Sequence, residues 1–299
     1  MLVEKELWGI RNKIEISIER IKNFESMALQ ISPAGYYVCV SGGKDSSVIQ
    51  ELCIMAGVKC EFVHNFTSVD HPETIYFIRR EIKRIEKLGY IYRIEYPRDS
   101  DNRQKTMWNL IPKNGLPTMK QRWCCKELKE WGGIGRYCIT GVRWAESNRR
   151  SADRALHEIS GKRKDETIIL NNDNDMKRRL NESCIPKRKF VLNPIIEWED
   201  SEIWEFIKSN NIPYNPLYHC GYNRIGCIGC PQSNKLKIEL ENNPKYKAAY
   251  FRAAKKWIEH RIERGLEHNY IMSTPERYFE WWMNLNQSKE RDYENILEY

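Results

Sequence analysis

The chain has 299 residues, 41% hydrophobic and 30% charged, the balance of a globular protein with one large domain or two small ones. No apolar run approaches the roughly 20 residues of a membrane helix, and the opening MLVEKELWGI lacks the basic start and apolar stretch of a secretory signal, so the expected setting is cytoplasmic, with no membrane partner. A formal net charge of +8 suits anionic ligands such as nucleotides or nucleic acid without choosing between them.

Apolar residues at helical spacing (Leu7, Ile10, Ile14, Ile18, Ile21) predict a leading helix over residues 5–30. Residues 36–40 read as a short buried strand that runs into Ser41-Gly42-Gly43-Lys44-Asp45-Ser46-Ser47, with a helix over 48–55 after it. A strand over 60–64, an amphipathic helix over 72–88 opened by Pro72, a strand over 91–96, a helix over 118–130 and a strand over 136–140 follow. Strands alternating with helices predict an α/β, doubly wound, mostly parallel sheet with helices on both faces. Residues 151–190 break the rhythm with Lys, Arg, Asn and Asp. They read either as a solvated excursion or as an anion-binding flap, and residues 167–170 within them as a hairpin strand. From Asn193 the chain turns helical and aromatic, with helices over 200–209, 245–264 and 278–283, the last started by Thr274-Pro275-Glu276. The expected division is an N-terminal helical segment over 1–34, a nucleotide-binding domain over 35–234 and a C-terminal helical extension over 235–299.

A strand, then SGGKDSS, then a helix is a device for holding phosphates. Gly42 and Gly43 let the backbone turn tightly against an anion, and the helix start aims free N–H groups and its positive dipole end at the same spot. Lys44 adds a full charge, and Ser41, Ser46 and Ser47 add hydroxyl donors. Asp45 reads as a helix N-cap or as a ligand to Mg²⁺ carrying the phosphates. The G-x-x-x-x-G-K spacing of the Walker loop is absent.

The 10 cysteines are of two kinds. Cys39, Cys53, Cys60 and Cys138 lie in apolar patterns, where cysteine packs as a small hydrophobe. Cys124, Cys125, Cys220, Cys227 and Cys230 lie beside Gly, Pro, Trp or charged residues and read as chemistry, while Cys184 fits neither class. Cys227-Ile228-Gly229-Cys230 puts two thiolates on one turn, and Cys124-Cys125 stands before a predicted helix with Arg122 and Lys126 to favour thiolates. Four thiolates suit zinc or an iron–sulfur cluster, and spacing does not decide between them. Arg143, Arg149 and Arg150 can clamp a phosphate or sulfate, or form a solvated face; Asp70 can position a ribose or Mg²⁺, or cap the following helix.

At these residues the chain resembles the phosphoadenosine phosphosulfate reductase-like family of PP-loop proteins. SGGKDSS looks like the PP-loop signature of ATP pyrophosphatases and sulfonucleotide reductases. The run from Val63 to Thr74, the Thr140-Gly141-Val142-Arg143 loop, and the stretch from Asn193 through Tyr218 to the Cys-x-x-Cys look like the family's later segments, over roughly residues 36–232. The resemblance implies the adenine nucleotide alpha-hydrolase-like fold, an ATP or adenylyl sulfate ligand with Mg²⁺ at the loop, Asp70, Gly141 and Arg143, and a 4Fe-4S cluster on Cys124, Cys125, Cys227 and Cys230. Cys220 resembles a cysteine of the sulfur-transfer ATPases of DNA phosphorothioation and can replace Cys124 in that set.

Two activities share this fold. The reductases attack with a cysteine of a Cys-Gly-Leu-His segment, and no cysteine follows Cys230 here, so the expectation leans toward nucleotide-dependent sulfur transfer or acceptor adenylation. Its expected partners are a nucleic-acid acceptor meeting the basic excursion and a sulfur-donor protein. Sulfonucleotide reduction and a non-catalytic iron–sulfur nucleotide-binding subunit are the alternatives.

Overall fold

The computed structural model describes residues 2–6, 9–146, 154–159, 168–170, 189–266 and 269–285. In chain order it contains strands β1 (Val3–Glu6) and β2 (Gly9–Asn12), helices α1 (Lys13–Asn23) and α2 (Glu25–Ile31), strand β3 (Tyr36–Cys39), helix α3 (Lys44–Ala56), strand β4 (Cys60–Asn65), helix α4 (Pro72–Glu86), strand β5 (Ile91–Glu95) and helix α5 (Met107–Asn114). Then come strands β6 (Tyr137–Ile139), β7 (His157–Ile159), β8 (Ile168–Leu170) and β9 (Phe190–Leu192), and helices α6 (Asp200–Ser209), α7 (Leu236–Asn242), α8 (Pro244–Glu263) and α9 (Pro275–Met283). They fall into two compact units.

The first unit comprises Met1–Asn65, Pro72–Glu95 and Gly132–Ile225. Its seven-stranded sheet has the order β5-β4-β3-β6-β9-β7-β8. The strands from β5 to β9 run parallel, with Val38 opposite both Phe62 and Ile139, and β7 lies antiparallel to β9 and β8. Strands covered on both faces are mostly apolar, and Tyr36, Val38, Phe62, Tyr137, Ile139, Phe190 and Leu192 are all buried. The chain leaves β3 toward β4 on one side and returns later to β6 on the other. The carboxyl ends of β3 and β6 therefore flank a topological switch point, the place where such sheets hold ligands. Helix α1 is tied to α6 by a buried ion pair, Lys13 Nζ to Glu202 Oε1 at 2.7 Å, with Glu202 only 1% exposed.

The leading segment departs from the helix its spacing predicts. β1 and β2 form an antiparallel hairpin pairing Val3 with Asn12, and the helix begins only at Lys13, where Asn12 Oδ1 accepts the Ile14 and Glu15 N–H groups at 3.1 and 3.4 Å. It then breaks at Phe24, which is fully buried and ends one helix while opening the next. The β7–β8 hairpin uses the apolar run expected as a strand, but β7 and β9 are three-residue strands that carry no readable period.

The second unit comprises Phe66–His71, Tyr96–Trp131 and Gly226–Tyr299. Helices α5, α7, α8 and α9 surround a core of Met107, Ile111, Leu116, Leu128, Ile228, Tyr250, Ala254, Ile258, Tyr278 and Trp282. Two buried polar side chains of that core are paired: Trp282 Nε1 donates to Pro117 O at 2.7 Å, and Tyr278 Oη accepts the Leu116 N–H at 2.8 Å. Trp282 thus sits in the interior. Of the helix expected over 118–130, only residues 123–129 are helical. Thr118 Oγ1 holds a turn by accepting the Gln121 N–H at 3.0 Å, and Cys125–Lys129 is a π-helix closed by the Glu130 N–H on Cys125 O at 2.8 Å. The regular helix is α5 instead, started by a Thr106–Asn109 capping box.

Candidate phosphate loop and thiol cluster

Between β3 and α3 the chain reverses through Gly42, whose φ of +77° lies in the left-handed region. A Cβ there would stand 2.7 Å from Thr74 Cγ2, so the position excludes side chains on space as well as conformation. Asn215 holds the turn: its Nδ2 donates to Gly42 O at 3.2 Å and to Thr74 Oγ1 at 2.9 Å. Gly43 is the N-cap of α3 and offers no side chain to it. Asp45 therefore is not the cap the sequence suggested; it lies in the first turn of the helix, where it meets two cations.

Lys44 supplies two donors of the loop. Its backbone N–H reaches Tyr218 Oη at 2.9 Å, and its ammonium reaches Asp200 Oδ1 at 3.0 Å and Asp45 Oδ2 at 3.4 Å. Ser46 and Ser47 hydroxyls return to Gly43 O at 2.8 and 3.4 Å, and Ser41 Oγ lies 3.3 Å from Ser46 Oγ. Arg143, 1% exposed, comes from the loop after β6. Its Nε donates to Asp45 Oδ1 at 2.7 Å, its Nη2 to Asp200 Oδ1 at 2.8 Å and its Nη1 to Trp198 O at 3.0 Å. Gly141, two residues earlier, lets that loop approach: a Cβ on it would stand 3.0 Å from the Asp45 backbone. Burial pushes the Asp200 carboxyl up, but hydrogen bonds from Lys44 and Arg143 outweigh it and hold it below the usual range. Burial pushes the Tyr218 phenol up, so it stays protonated.

In the second unit, the Cys227–Cys230 turn is locked from two sides. The Ile228 N–H donates to Val69 O at 2.8 Å, Tyr250 Oη donates to Ile228 O at 2.9 Å, and the Cys230 N–H closes on Cys227 O at 3.2 Å. Gly229 has φ +70°, and a Cβ there would press on Tyr250 at 3.0 Å. Asp70 pairs with Cys227 in an isolated antiparallel bridge, and its carboxylate accepts the Thr67 N–H at 2.8 Å. A hydrogen bond from Cys124 pulls the Cys125 thiol down to about 5 against its burial, helped by Arg122, whose Nη2 lies 3.3 Å from Cys125 Sγ. The Cys124 thiol is pushed far up by Cys125, by burial, and by repulsion from Cys227 and Cys230. Burial also raises Cys227. The sulfurs of Cys124, Cys125, Cys227 and Cys230 thus act on one another, although among the described residues no three His, Cys, Asp or Glu side chains are arranged to hold a metal ion.

Of the remaining candidates, Cys220 is exposed at the end of the Pro216–Cys220 turn and belongs to the sheet unit, whereas the other four cysteines and Asp70 belong to the second. Cys53, Cys60 and Cys138 are buried as expected, but Cys39 is only half-buried. Arg149, Arg150, Cys184 and most of the basic excursion lie outside the described residues. Sequence reasoning missed Asp200, Asn215 and Tyr218 as parts of the loop. The signal present was indirect: an Asn-Pro-Leu-Tyr turn of polar and aromatic residues far along the chain.

A model of the phosphoadenosine phosphosulfate reductase domain matches residues 35–233. An uncharacterized protein of Methanocaldococcus jannaschii is 26% identical over 299 residues, covering 94% of this chain and 62% of that protein, so the chain spans less than two thirds of that relative. An adenosine 5'-phosphosulfate reductase of Bacillus cytotoxicus is 25% identical over 202 residues, 65% of this chain and 71% of that one. A phosphoadenylyl-sulfate reductase from Candida auris, solved as a phosphate complex, aligns over 76% of this chain and 98% of its own with 16% identity and a TM-score of 0.43. Among the described residues no helix is long and apolar enough to cross a membrane.

Proposed function

The chain belongs to the phosphoadenosine phosphosulfate reductase domain family, and we propose that it is an enzyme that holds an adenine nucleotide on the loop from Ser41 to Ser47 and uses it for sulfur transfer or acceptor adenylation. The observation that carries the reading is the convergence of the Lys44 N–H and the Lys44 ammonium behind the Gly42 turn, at the start of α3. A polyphosphate replaces the Asp200 carboxylate as counter-ion to Lys44 and takes the Lys44 N–H from Tyr218, with Ser41, Ser46 and Ser47 as further donors. Mg²⁺ travels with the phosphates. Arg143, whose guanidinium is spent on Asp45, Asp200 and Trp198 O, positions the loop and does not clamp the anion itself. Gly141 keeps the wall beside it thin.

An acceptor oxygen attacks the α-phosphorus and pyrophosphate leaves; a sulfur nucleophile then displaces AMP. The charge of the basic excursion favours a nucleic-acid acceptor, and the sulfur requires a donor protein. Cys124, Cys125, Cys227 and Cys230 form a soft donor set, with Cys125 already inclined to the thiolate. Thiolates of this kind fit a 4Fe-4S cluster, and adjacent ligands suit neighbouring irons better than one tetrahedral zinc. When bound, such a cluster supplies a centre that can pass on sulfur or electrons.

A second reading, reduction of an adenylyl sulfate, is favoured by the named activity of the Bacillus relative. Two assays on anaerobically prepared protein separate the readings. Acceptor-dependent release of AMP and pyrophosphate from ATP is the expected result. Sulfite release from an adenylyl sulfate with thioredoxin would establish the reductase, and nucleotide binding with neither product would leave a binding subunit.

A further inference from the structure

A cleft of about 210 Å³ opens in the sheet unit between α6 and the residues that follow it. Trp204, Tyr214, Tyr218 and Tyr222 line it with Asp200 and His219. Two of these belong to the phosphate loop's own network: Tyr218 accepts the Lys44 N–H, and Asp200 pairs with the Lys44 ammonium. The cleft therefore begins where the loop's donors end.

The rings make a wall and leave no room for a cage. Trp204 stands edge-on to Tyr214 at 5.3 Å and 83°, and to Tyr218 at 5.1 Å and 89°. Tyr214 leans over His219 at 5.2 Å and 37°. Rings this close fill the space between themselves, so a methylammonium cannot sit among them; what they offer outward is faces and edges on which a flat ring can lie. The volume falls below the roughly 300–1,000 Å³ of sites for whole drug-sized ligands, which limits the occupant to one ring system. The lining also carries a carboxylate. Lys44 and Arg143 both bind Asp200 through Oδ1, while its side chain is 64% exposed, so the group repels phosphate and leaves an acceptor for a ring N–H or an exocyclic amine.

We propose that this cleft seats one planar heteroaromatic ring of nucleobase type beside the nucleotide phosphates. The proposal rests on the phosphate-loop reading above and adds to it the place of a ring. Two sources supply that chemistry, the base of the bound nucleotide and a base of the acceptor.

The test uses full-length protein and ligands that separate ring from phosphate. Tripolyphosphate titrated by calorimetry reads the loop; adenosine and cytidine followed by saturation-transfer NMR read the ring. Trp204→Ala and, as a second variant in case the first unfolds, Tyr222→Ala are each expected to weaken nucleoside binding about tenfold and leave tripolyphosphate binding unchanged. Selective loss of adenosine identifies the nucleotide's own ring, and selective loss of cytidine identifies the acceptor's. Nucleoside binding untouched in both folded variants, or tripolyphosphate lost in step with the nucleosides, would overturn the proposal. Lys44→Ala serves as the separate check: tripolyphosphate binding that survives it sinks the phosphate-loop reading while the nucleoside result still stands.

Discussion

Arg143 Nε donates to Asp45 Oδ1 at 2.7 Å, joining the loop after β6 to the first turn of α3 through a side chain that is 1% exposed. The same guanidinium closes on Asp200 and on the Trp198 carbonyl, so one residue fixes three segments around the phosphate loop. Truncating it leaves the Asp45 carboxylate, 19% exposed, with only Lys44 at 3.4 Å. Arg143→Ala is expected to cost about 3 kcal/mol, the lower end of what breaking a buried pair costs because Asp200 is largely solvated. Urea unfolding measures this; a loss under about 1 kcal/mol would mean that the network is not structural.

Gly42 and Gly57 share left-handed backbones, with φ of +77° and +67°, but differ in surroundings. A Cβ on Gly57 meets nothing within 4 Å, while one on Gly42 strikes Thr74 Cγ2 at 2.7 Å. Gly57→Ala is expected to cost only the backbone strain, about 1–2 kcal/mol, and to leave nucleotide binding intact. Gly42→Ala adds a steric shift in the loop itself and should weaken nucleotide binding as well. Equal effects of the two substitutions on binding would contradict the loop assignment.

Glu61 lies 5% exposed between Arg93 and Arg136 on the sheet. Burial alone would raise its carboxyl, but hydrogen bonds from the two arginines outweigh that and hold it below the ordinary carboxylate value. A depressed native value contributes stability that is fully present above the unfolded carboxyl value of about 4.3 and is lost as pH falls through the native one. Glu61→Gln should therefore lower the urea midpoint clearly at pH 7 and much less near pH 3. A deficit that persists unchanged in acid would show that the pair matters by packing and not by charge.

The thiol set makes its own demand. Protein purified without oxygen is expected to be brown and to carry iron and sulfide, and Cys227→Ser and Cys230→Ser should each abolish the colour. Cys53→Ser should not, since Cys53 is wholly buried in the sheet core. Stoichiometric zinc without iron in the wild-type protein would replace the cluster assignment with a zinc one.

The parallel sheet and the glycine turn between β3 and α3 were legible because their signals are local and strong. Apolar runs such as Tyr36–Cys39 can only be strands buried on both faces, and Gly42 followed by Lys44 at a helix start leaves few other uses. What was not legible is non-local. Tyr218 lies 174 residues from the Lys44 N–H it caps, and Arg143 reaches Asp45 across 98 residues. No spacing in the sequence announces either contact. The hairpin at the start was hidden for a different reason: Ile10, Ile14 and Ile18 keep helical spacing across the point where Asn12 begins the helix anew. The π-helix at Cys125–Lys129 was hidden likewise, since widened hydrogen bonds within a helical stretch leave the apolar pattern almost unchanged. The divided allegiance of the five candidate cysteines, Cys220 to one unit and Cys124, Cys125, Cys227 and Cys230 to the second, follows from chain paths that only the folded structure traces.

The most direct test of the account is the affinity of Lys44→Ala for ATP, measured by calorimetry against the wild-type protein with circular dichroism to show that the fold is kept. Lys44 Nζ is 3.0 Å from Asp200 and sits at the start of α3, so its loss removes a charge-assisted contact of about 1.5–3 kcal/mol. The account predicts at least roughly tenfold weaker binding in a folded variant. Unchanged affinity in that variant would contradict the assignment of the loop from Ser41 to Ser47 as the nucleotide's phosphate site.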